Sequence, residues 1–170
     1  MPAAAPTSVG TMADSQLTHL DAEGRVRMVD VGDKDVTKRR AVASGLITTR
    51  PEVIDLIAEA GLPKGDALPV ARIAAVMGAK RTSDLIPLCH PLPLTGIDVE
   101  FELRDDAVAI TAAVKTVSKT GVEMEALTAV TTAALTVFDM IKAVDNQAVF
   151  SDIKVVEKTG GKSGDWTRES

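Results

Sequence analysis

An aspartate and a lysine, Asp139 and Lys142, lie three residues apart in a segment whose apolar spacing predicts one long helix over residues 121–145. At that spacing their Cβ atoms are roughly 5–6 Å apart on one side of the helix. Opposite charges at this range favour both charged forms, so each is a poor base until another charge or a bound anion disturbs the pair. The spacing leaves two interpretations open, a solvated surface ion pair and a pair that transfers protons.

The same polar stripe carries Glu125, Thr128 and Thr132, with an Ala- and Val-rich face opposite. Glu125 is fourteen residues from Asp139, about 21 Å along a continuous helix. The two carboxylates therefore cannot touch the same atom. A long ligand, a later helix start or a second subunit would close the gap. Glu123 falls on the apolar side, so we place it at the start of the helix, where the dipole favours a carboxylate.

A second group of candidates lies in a proline-punctuated segment, Ile86 to Pro93. His90 stands between Cys89 and Pro91, and such a rigid backbone can pre-position an imidazole as a proton donor or phosphate contact. A hydrogen-bonded loop histidine is an equally good interpretation. Cys89 is more typical of a small buried hydrophobe than of a nucleophile. Adjacent Cys and His do not have metal-ligand spacing, and the sequence predicts neither a metal site nor a cofactor.

Two further segments carry lysines in turns. Lys64 lies in the predicted turn Leu62 to Asp66, where a lysine is usually only solvated, although turns often carry ligand contacts. The run Gly160 to Gly164 resembles a phosphate-binding loop, but that pattern needs a glycine at position 156, which is Val156, and a helix afterwards. We interpret the run as a flexible tail that can act as a lid.

The elements that must position these residues follow from periodicity and breaker residues. The predicted strands cover 26–31, 42–49, 97–103, 108–117 and 149–158, and the predicted helices cover 51–60, 70–79 and 121–145. From the second strand onward the order is β-α-β-β-α-β with an additional helix in the first crossover. This order predicts an α+β, ferredoxin-like fold, an antiparallel sheet covered by helices. We expect a disordered lead-in over 1–16, a single domain over 17–158 and a flexible Gly-rich tail over 159–170.

Composition excludes several classes of protein. The chain has 170 residues, a formal charge of −5, three Phe, one Trp and no Tyr. Few aromatic side chains and a negative charge argue against nucleic-acid binding. No apolar run approaches the ~18 residues of a membrane span. A lone cysteine, Cys89, forms no internal disulfide and fits a reducing cytoplasm.

Five stretches together resemble a known family, the cyclic pyranopterin monophosphate synthases of molybdenum cofactor biosynthesis. They span roughly residues 16 to 166, and the second and third are long enough to be specific. The matching stretches are Met28 to Val31, Ala79 to Pro91, Thr120 to Thr128, Asp139 to Val144 and Gly160 to Asp165.

The resemblance implies a ferredoxin-like subunit in a homohexamer, a trimer of dimers with active sites at the dimer interface. It implies a substrate that is a cyclised dihydroguanosine triphosphate, converted to cyclic pyranopterin monophosphate with loss of pyrophosphate. By the same resemblance Asp139 is the acid/base residue, and Lys142 and Lys64 are catalytic or phosphate-binding. The other implied roles are His90 in catalysis and substrate binding, Leu88, Cys89, Met124 and Glu125 in substrate binding, and Arg39 and Lys158 in phosphate contact.

Two hypotheses from other classes compete with the enzyme. A non-catalytic nucleotide-sensing module would bind nucleotide tightly without turnover and tolerate Asp139→Asn. A purely structural oligomer subunit would use the polar stripe as an interface and bind no nucleotide. The dense matching stretches favour the enzyme.

Overall fold

An antiparallel sheet forms the centre of the protein. The computed structural model describes residues 23–162 and 164–169. The strands are β1 (Thr37–Thr48), β2 (Leu94–Leu103), β3 (Ala107–Ser118), β4 (Val149–Thr159) and β5 (Trp166–Thr167). Their spatial order is β2-β3-β1-β4-β5, and every neighbouring pair is antiparallel.

The helices lie in the two crossovers of this sheet. They are α1 (Pro51–Ala58), α2 (Ala67–Lys80), α3 (Thr82–Leu85) and α4 (Glu123–Ile141). The β1-to-β2 and β3-to-β4 connections each pass over one intervening strand, which gives the first four strands the split βαβ arrangement. The predicted α+β, ferredoxin-like fold is confirmed, and the first crossover carries α1 and α3 besides α2, which packs against α4.

The core is built from small side chains, which lets helices and sheet approach closely. Alternate residues of β1 and β3, such as Ile47 and Ile110, are fully buried under the helices. Val130, on the face of α4 that packs against the sheet, is also fully buried. A Cβ on Gly78 of α2 would overlap the side chain of Thr132 on α4. The close α2–α4 contact therefore depends on a glycine.

Several predicted boundaries are corrected by the structure. The strand predicted over 26–31 is wrong, because most of that segment is exposed and only Val26 makes an isolated bridge. β1 begins at Thr37, earlier than predicted, because its first residues pair with the end of β3. Helix α3 and strand β5 were not predicted, and β5 pairs Trp166 and Thr167 with the end of β4 inside the predicted tail. The lead-in predicted over 1–16 lies outside the described residues.

Helix α4 needs a separate comment on its composition. Among residues 23–162 and 164–169, α4 is the only helix that is long enough and apolar enough to cross a membrane. The expectation that no apolar segment reaches the length of a membrane span is therefore wrong by length and composition. Its Ala- and Val-rich face is buried against β1 and β3, however. Core packing therefore accounts for its apolar composition.

Candidate functional site

At the C-terminal end of α4, one carboxylate is held by two ammonium groups. Lys142 Nζ lies 2.7 Å from Asp139 Oδ1, and Lys64 Nζ lies 2.7 Å from Asp139 Oδ2. Hydrogen bonds from Lys142 and then from Lys64 lower the pKa of Asp139 to about 2. The Asp139 side chain is 54% exposed. An incoming anion can therefore reach both lysines from solvent.

The loop between α1 and α2 carries Lys64 to this point. The end of α1 forms a Schellman motif, in which Gly61 N donates to Leu56 O at 2.8 Å and Ala60 N donates to Ile57 O at 3.2 Å. Ala60 takes the left-handed conformation, with φ of 53°, although a glycine, Gly61, follows it. Leu62 is buried, which anchors the loop two residues before Lys64.

A cavity of about 310 Å³ lies at the other end of α4. It gathers the predicted substrate-binding residues Leu88, Cys89, His90, Met124 and Glu125. The proline-punctuated segment after α3 supplies the first three, and the first turn of α4 supplies the other two. Val29, Val31 and Lys34 line the same cavity. Spacing alone gave no reason to include Lys34.

A buried carboxyl group and a half-buried thiol distinguish this cavity from the exposed end of α4. Glu125 is only 4% exposed. Burial, together with the nearby Glu123 carboxylate, raises the pKa of Glu125 despite an opposing backbone hydrogen bond. Burial and then the Glu125 carboxylate raise the pKa of the Cys89 thiol, which therefore stays protonated and is a poor nucleophile.

A smaller cavity of about 190 Å³ adjoins the first and carries the predicted phosphate contacts, Arg39 and Lys158. Both cavities share Thr120, Gly121 and Glu123 as lining residues. Lys158 Nζ lies 3.8 Å from Glu123 Oε1 in the first turn of α4. Glu123 is thus at the start of the helix, as the sequence indicated. Arg40 lines this cavity too and was not predicted.

Backbone contacts fix the Arg39 guanidinium. Its Nε donates to Ser118 O and its Nη2 donates to Lys119 O, both at 3.2 Å. Gly161 is left-handed, with φ of 86°, and a Cβ there would overlap Arg39 Nη1. The Gly-rich segment after β4 therefore closes directly over this guanidinium.

The predicted residues thus form two groups rather than one. Asp139, Lys142 and Lys64 lie at one end of α4, and the two adjoining cavities lie at its other end. Asp139 is fourteen positions after Glu125 along α4, a distance of about 21 Å. Within the described parts of the chain, no three His, Cys, Asp or Glu side chains cluster as metal ligands would.

Comparisons with known proteins find relatives over most of the chain. The MoaC family model matches residues 28–161. A relative from Streptomyces coelicolor is 60% identical over 163 residues, covering 96% of each chain. One from Corynebacterium efficiens is 63% identical over 153 residues, covering 90% of this chain and 99% of its own. A third, from Nocardioides sp., is 59% identical over 162 residues, covering 92% and 99%.

All three relatives carry the name cyclic pyranopterin monophosphate synthase. The matched region includes both ends of α4 and the Arg39 and Lys158 cavity. The resemblance drawn from the five sequence stretches is therefore confirmed, and the chain belongs to the MoaC family.

Proposed function

We propose that this chain is a cyclic pyranopterin monophosphate synthase, a lyase of molybdenum cofactor biosynthesis. It converts (8S)-3′,8-cyclo-7,8-dihydroguanosine 5′-triphosphate to cyclic pyranopterin monophosphate and releases pyrophosphate. The names of relatives about 60% identical over most of the chain support this assignment. The observation that carries it is the Asp139 carboxylate held between Lys64 and Lys142.

This arrangement suits cyclisation at the α-phosphorus of a triphosphate. An alcohol oxygen of the substrate forms a bond to that phosphorus, the bond to the bridging oxygen breaks, and pyrophosphate leaves. The alcohol proton needs an acceptor, which is the Asp139 carboxylate. The leaving pyrophosphate carries negative charge, which the ammonium groups of Lys64 and Lys142 neutralise.

Substrate binding also tunes the base. In the free protein the two lysines hold the pKa of Asp139 at about 2, which makes it a weak proton acceptor. Phosphate oxygens that compete for the ammonium groups loosen both hydrogen bonds and add negative charge nearby. Both changes raise the affinity of Asp139 for a proton, so the triphosphate activates the residue that acts on it.

The opposite end of α4 suits the guanine-derived ring system. The cavity is lined by Leu88, Met124 and His90, which combine apolar contact with a ring nitrogen for hydrogen bonding. Glu125 keeps its proton to a higher pH than an exposed glutamate, because it is buried. A carboxyl group in that state can donate a hydrogen bond or a proton to a ring nitrogen or oxygen.

We further propose that two copies of the chain build each active site, within a homohexamer made as a trimer of dimers. A single copy keeps its two groups at opposite ends of α4. Two copies packed with α4 antiparallel across a two-fold axis would bring Asp139 of one copy towards the cavity of the other. Exposed apolar side chains on the helix layer support this packing: Val70, Ile73 and Met77 of α2 and Leu135 of α4. A cytoplasmic location is proposed from the lone cysteine.

The activity is tested by incubating the purified protein with the cyclised triphosphate and measuring pyrophosphate and cyclic pyranopterin monophosphate. Asp139→Asn keeps the shape of the side chain but removes the proton acceptor. We expect kcat to fall by about 10²–10⁴-fold in this variant, with an unchanged melting temperature because the side chain is exposed. Binding without turnover by the wild type, or activity of Asp139→Asn within a few-fold of the wild type, would contradict the proposal and favour a nucleotide sensor.

The packing is tested by light scattering on two matched variants. Ile73→Asp adds a charge to the exposed face of α2, where the side chain is 63% exposed. Val117→Asp adds the same charge to β3, where the side chain is 45% exposed. We expect only Ile73→Asp to reduce the oligomer. Dissociation by Val117→Asp alone would place the interface on the sheet instead of the helices.

A further inference from the structure

The turn that follows α4 is closed by its own backbone. Val144 N and Asp145 N both donate to Ile141 O, at 2.8 and 2.9 Å, and Gln147 N donates to Asp145 Oδ1 at 2.9 Å. Lys142 is the C-cap residue of α4 and stands at the start of this turn. The position of its ammonium group therefore depends on how firmly the turn is held.

Asp145 ties this turn to the junction between β1 and α1. It is buried, with 6% exposure, and its Oδ2 accepts a hydrogen bond from Thr49 Oγ1 at 2.6 Å and a longer one from Arg50 N at 3.4 Å. In return, Arg50 Nη2 donates to Val144 O at 2.5 Å. The Thr49 hydroxyl and then the Gln147 amide hold the pKa of Asp145 below its usual range. Its carboxylate is therefore ionised at neutral pH and held by fixed donors.

Both lysines that hold Asp139 belong to the elements that Asp145 joins. Lys142 precedes Asp145 by three residues in the turn after α4. Lys64 lies in the loop that ends α1, and Arg50 is the N-cap residue at the start of α1. A shift of α1 relative to the end of α4 would thus move one ammonium group relative to the other.

We propose that Asp145 is a positioning residue, which with Thr49 locks the end of α4 onto the start of α1 and so holds Lys142 and Lys64 on opposite oxygens of Asp139. The effect on turnover rests on the proposed function. The structural link between the two elements does not rest on it, because that link concerns only how firmly the turn over residues 142–147 is held.

The most direct test replaces the hydroxyl that reaches Asp145. Thr49→Val removes the hydroxyl and nearly keeps the volume, whereas Thr49→Ser keeps the hydroxyl and removes a methyl group. For Thr49→Val we expect kcat to fall about tenfold and KM to rise by less than that, because most of the proposed substrate-binding residues line the cavities at the other end of α4. We also expect backbone amides of residues 142–147 to exchange with solvent about tenfold faster. Thr49→Ser should restore both quantities.

A core variant, Ile110→Val, is the control for simple loss of stability. Ile110 is fully buried in the middle of β3, away from both ends of α4. It should lower the melting temperature without changing kcat per folded protein or exchange at 142–147. An equal loss of kcat in Ile110→Val and Thr49→Val, or no rescue by Thr49→Ser, would overturn the proposal. If the wild type showed no turnover, the proposed function would fail, and unchanged exchange at 142–147 in Thr49→Val would separately overturn the positioning role.

Discussion

Two carboxylates on one helix have opposite environments, and this contrast defines their chemistry. Asp139 lies at the surface between two lysines, which lower its pKa, whereas Glu125 is buried, which raises its pKa. In the proposed mechanism Asp139 becomes a base when a bound anion displaces its lysines. Glu125 holds its proton to a higher pH than an exposed glutamate does. Pairs of groups whose pKa values are pushed apart are typical of acid–base enzymes.

The buried carboxyl of Glu125 predicts a stability that depends on pH. Its pKa is raised above the 4.5 of an ordinary glutamate. The folded state therefore holds this proton more tightly than the unfolded state does, and stability is lost as pH rises through the folded pKa. Glu125→Gln avoids this loss. We therefore expect the free energy of unfolding of Glu125→Gln, measured with urea as the difference from the wild type, to be more favourable at pH 8 than at pH 4.

Glu100→Gln is the matched control, because Glu100 is exposed on β2. Because the Glu100 side chain stays in solvent when the protein folds, the effect of burial argued for Glu125 should be absent from Glu100→Gln. A Glu125→Gln difference that was also independent of pH would show that burial of this carboxyl does not cost the protein stability.

Sequence reasoning located these residues with unequal success, for physical reasons. The Asp139–Lys142 contact follows from helical spacing alone, because both residues lie at one end of α4. The Lys64 contact spans 75 residues of sequence, and only the resemblance to a family brought it in. Burial of Glu125 was not predicted, because the polar stripe on α4 is exposed to solvent at Asp139 but buried at Glu125. Asp145 was missed because its partners, Thr49 and Arg50, lie on another element.

At the scale of elements, α1 ends in a strained conformation that a glycine would relieve. Ala60 is exposed and left-handed at the position of the Schellman motif where glycine is usual. The left-handed conformation costs a non-glycine residue about 1–2 kcal/mol. Glycine avoids this cost, but its greater conformational freedom in the unfolded chain offsets part of the gain. We expect Ala60→Gly to stabilise the protein by about 0.5–1 kcal/mol in chemical unfolding.

Ala58→Gly is the matched control, because Ala58 is also exposed but is the last residue of α1 and has the helical conformation. There the same substitution should destabilise the protein by about 0.5–1 kcal/mol. Destabilisation by both substitutions would mean that Ala60 is not strained.

The contact between α2 and α4 gives a second prediction at this scale. A Cβ at Gly78 would overlap Thr132 Oγ1 and approach Thr132 Cβ to 2.8 Å. Gly78→Ala should therefore destabilise the protein by about 1–3 kcal/mol, the usual cost of overpacking. Thr132→Ala removes the obstructing atoms, so the double variant should recover most of that loss in a double-mutant cycle. Additive losses would show that the two helices do not touch at this pair.

The same scale explains which parts of the fold were predictable. The hairpin of β2 and β3 and the helix α4 follow from clear periodicity, and their predicted bounds differ from the observed ones by a few residues. The strand predicted over 26–31 failed because it rested on an apolar cluster, and that cluster has no strand to pair with among the described residues. The short β5 exists only through its pairing with β4. A local pattern cannot report such a pairing.

At the scale of the whole molecule, the fold places the two groups that the proposed reaction needs far apart in a single copy. One copy carries the lysine-held aspartate and the cavity with His90 and Glu125 at opposite ends of one rigid helix. A rigid helix cannot bend to bring its ends together. In the proposed assembly, two copies related by a two-fold axis would bring these groups together twice, once at each end of the shared interface.

Complementation between two inactive variants measures this arrangement most directly. Asp139→Asn disables one group and His90→Ala disables the other, so each variant alone should be inactive. In an equal mixture unfolded and refolded together, half of the dimers pair one variant with the other, and each of those carries one intact site. We predict recovery of about a quarter of the wild-type rate of pyrophosphate release. A mixture no more active than the separate variants would contradict a site shared between two copies.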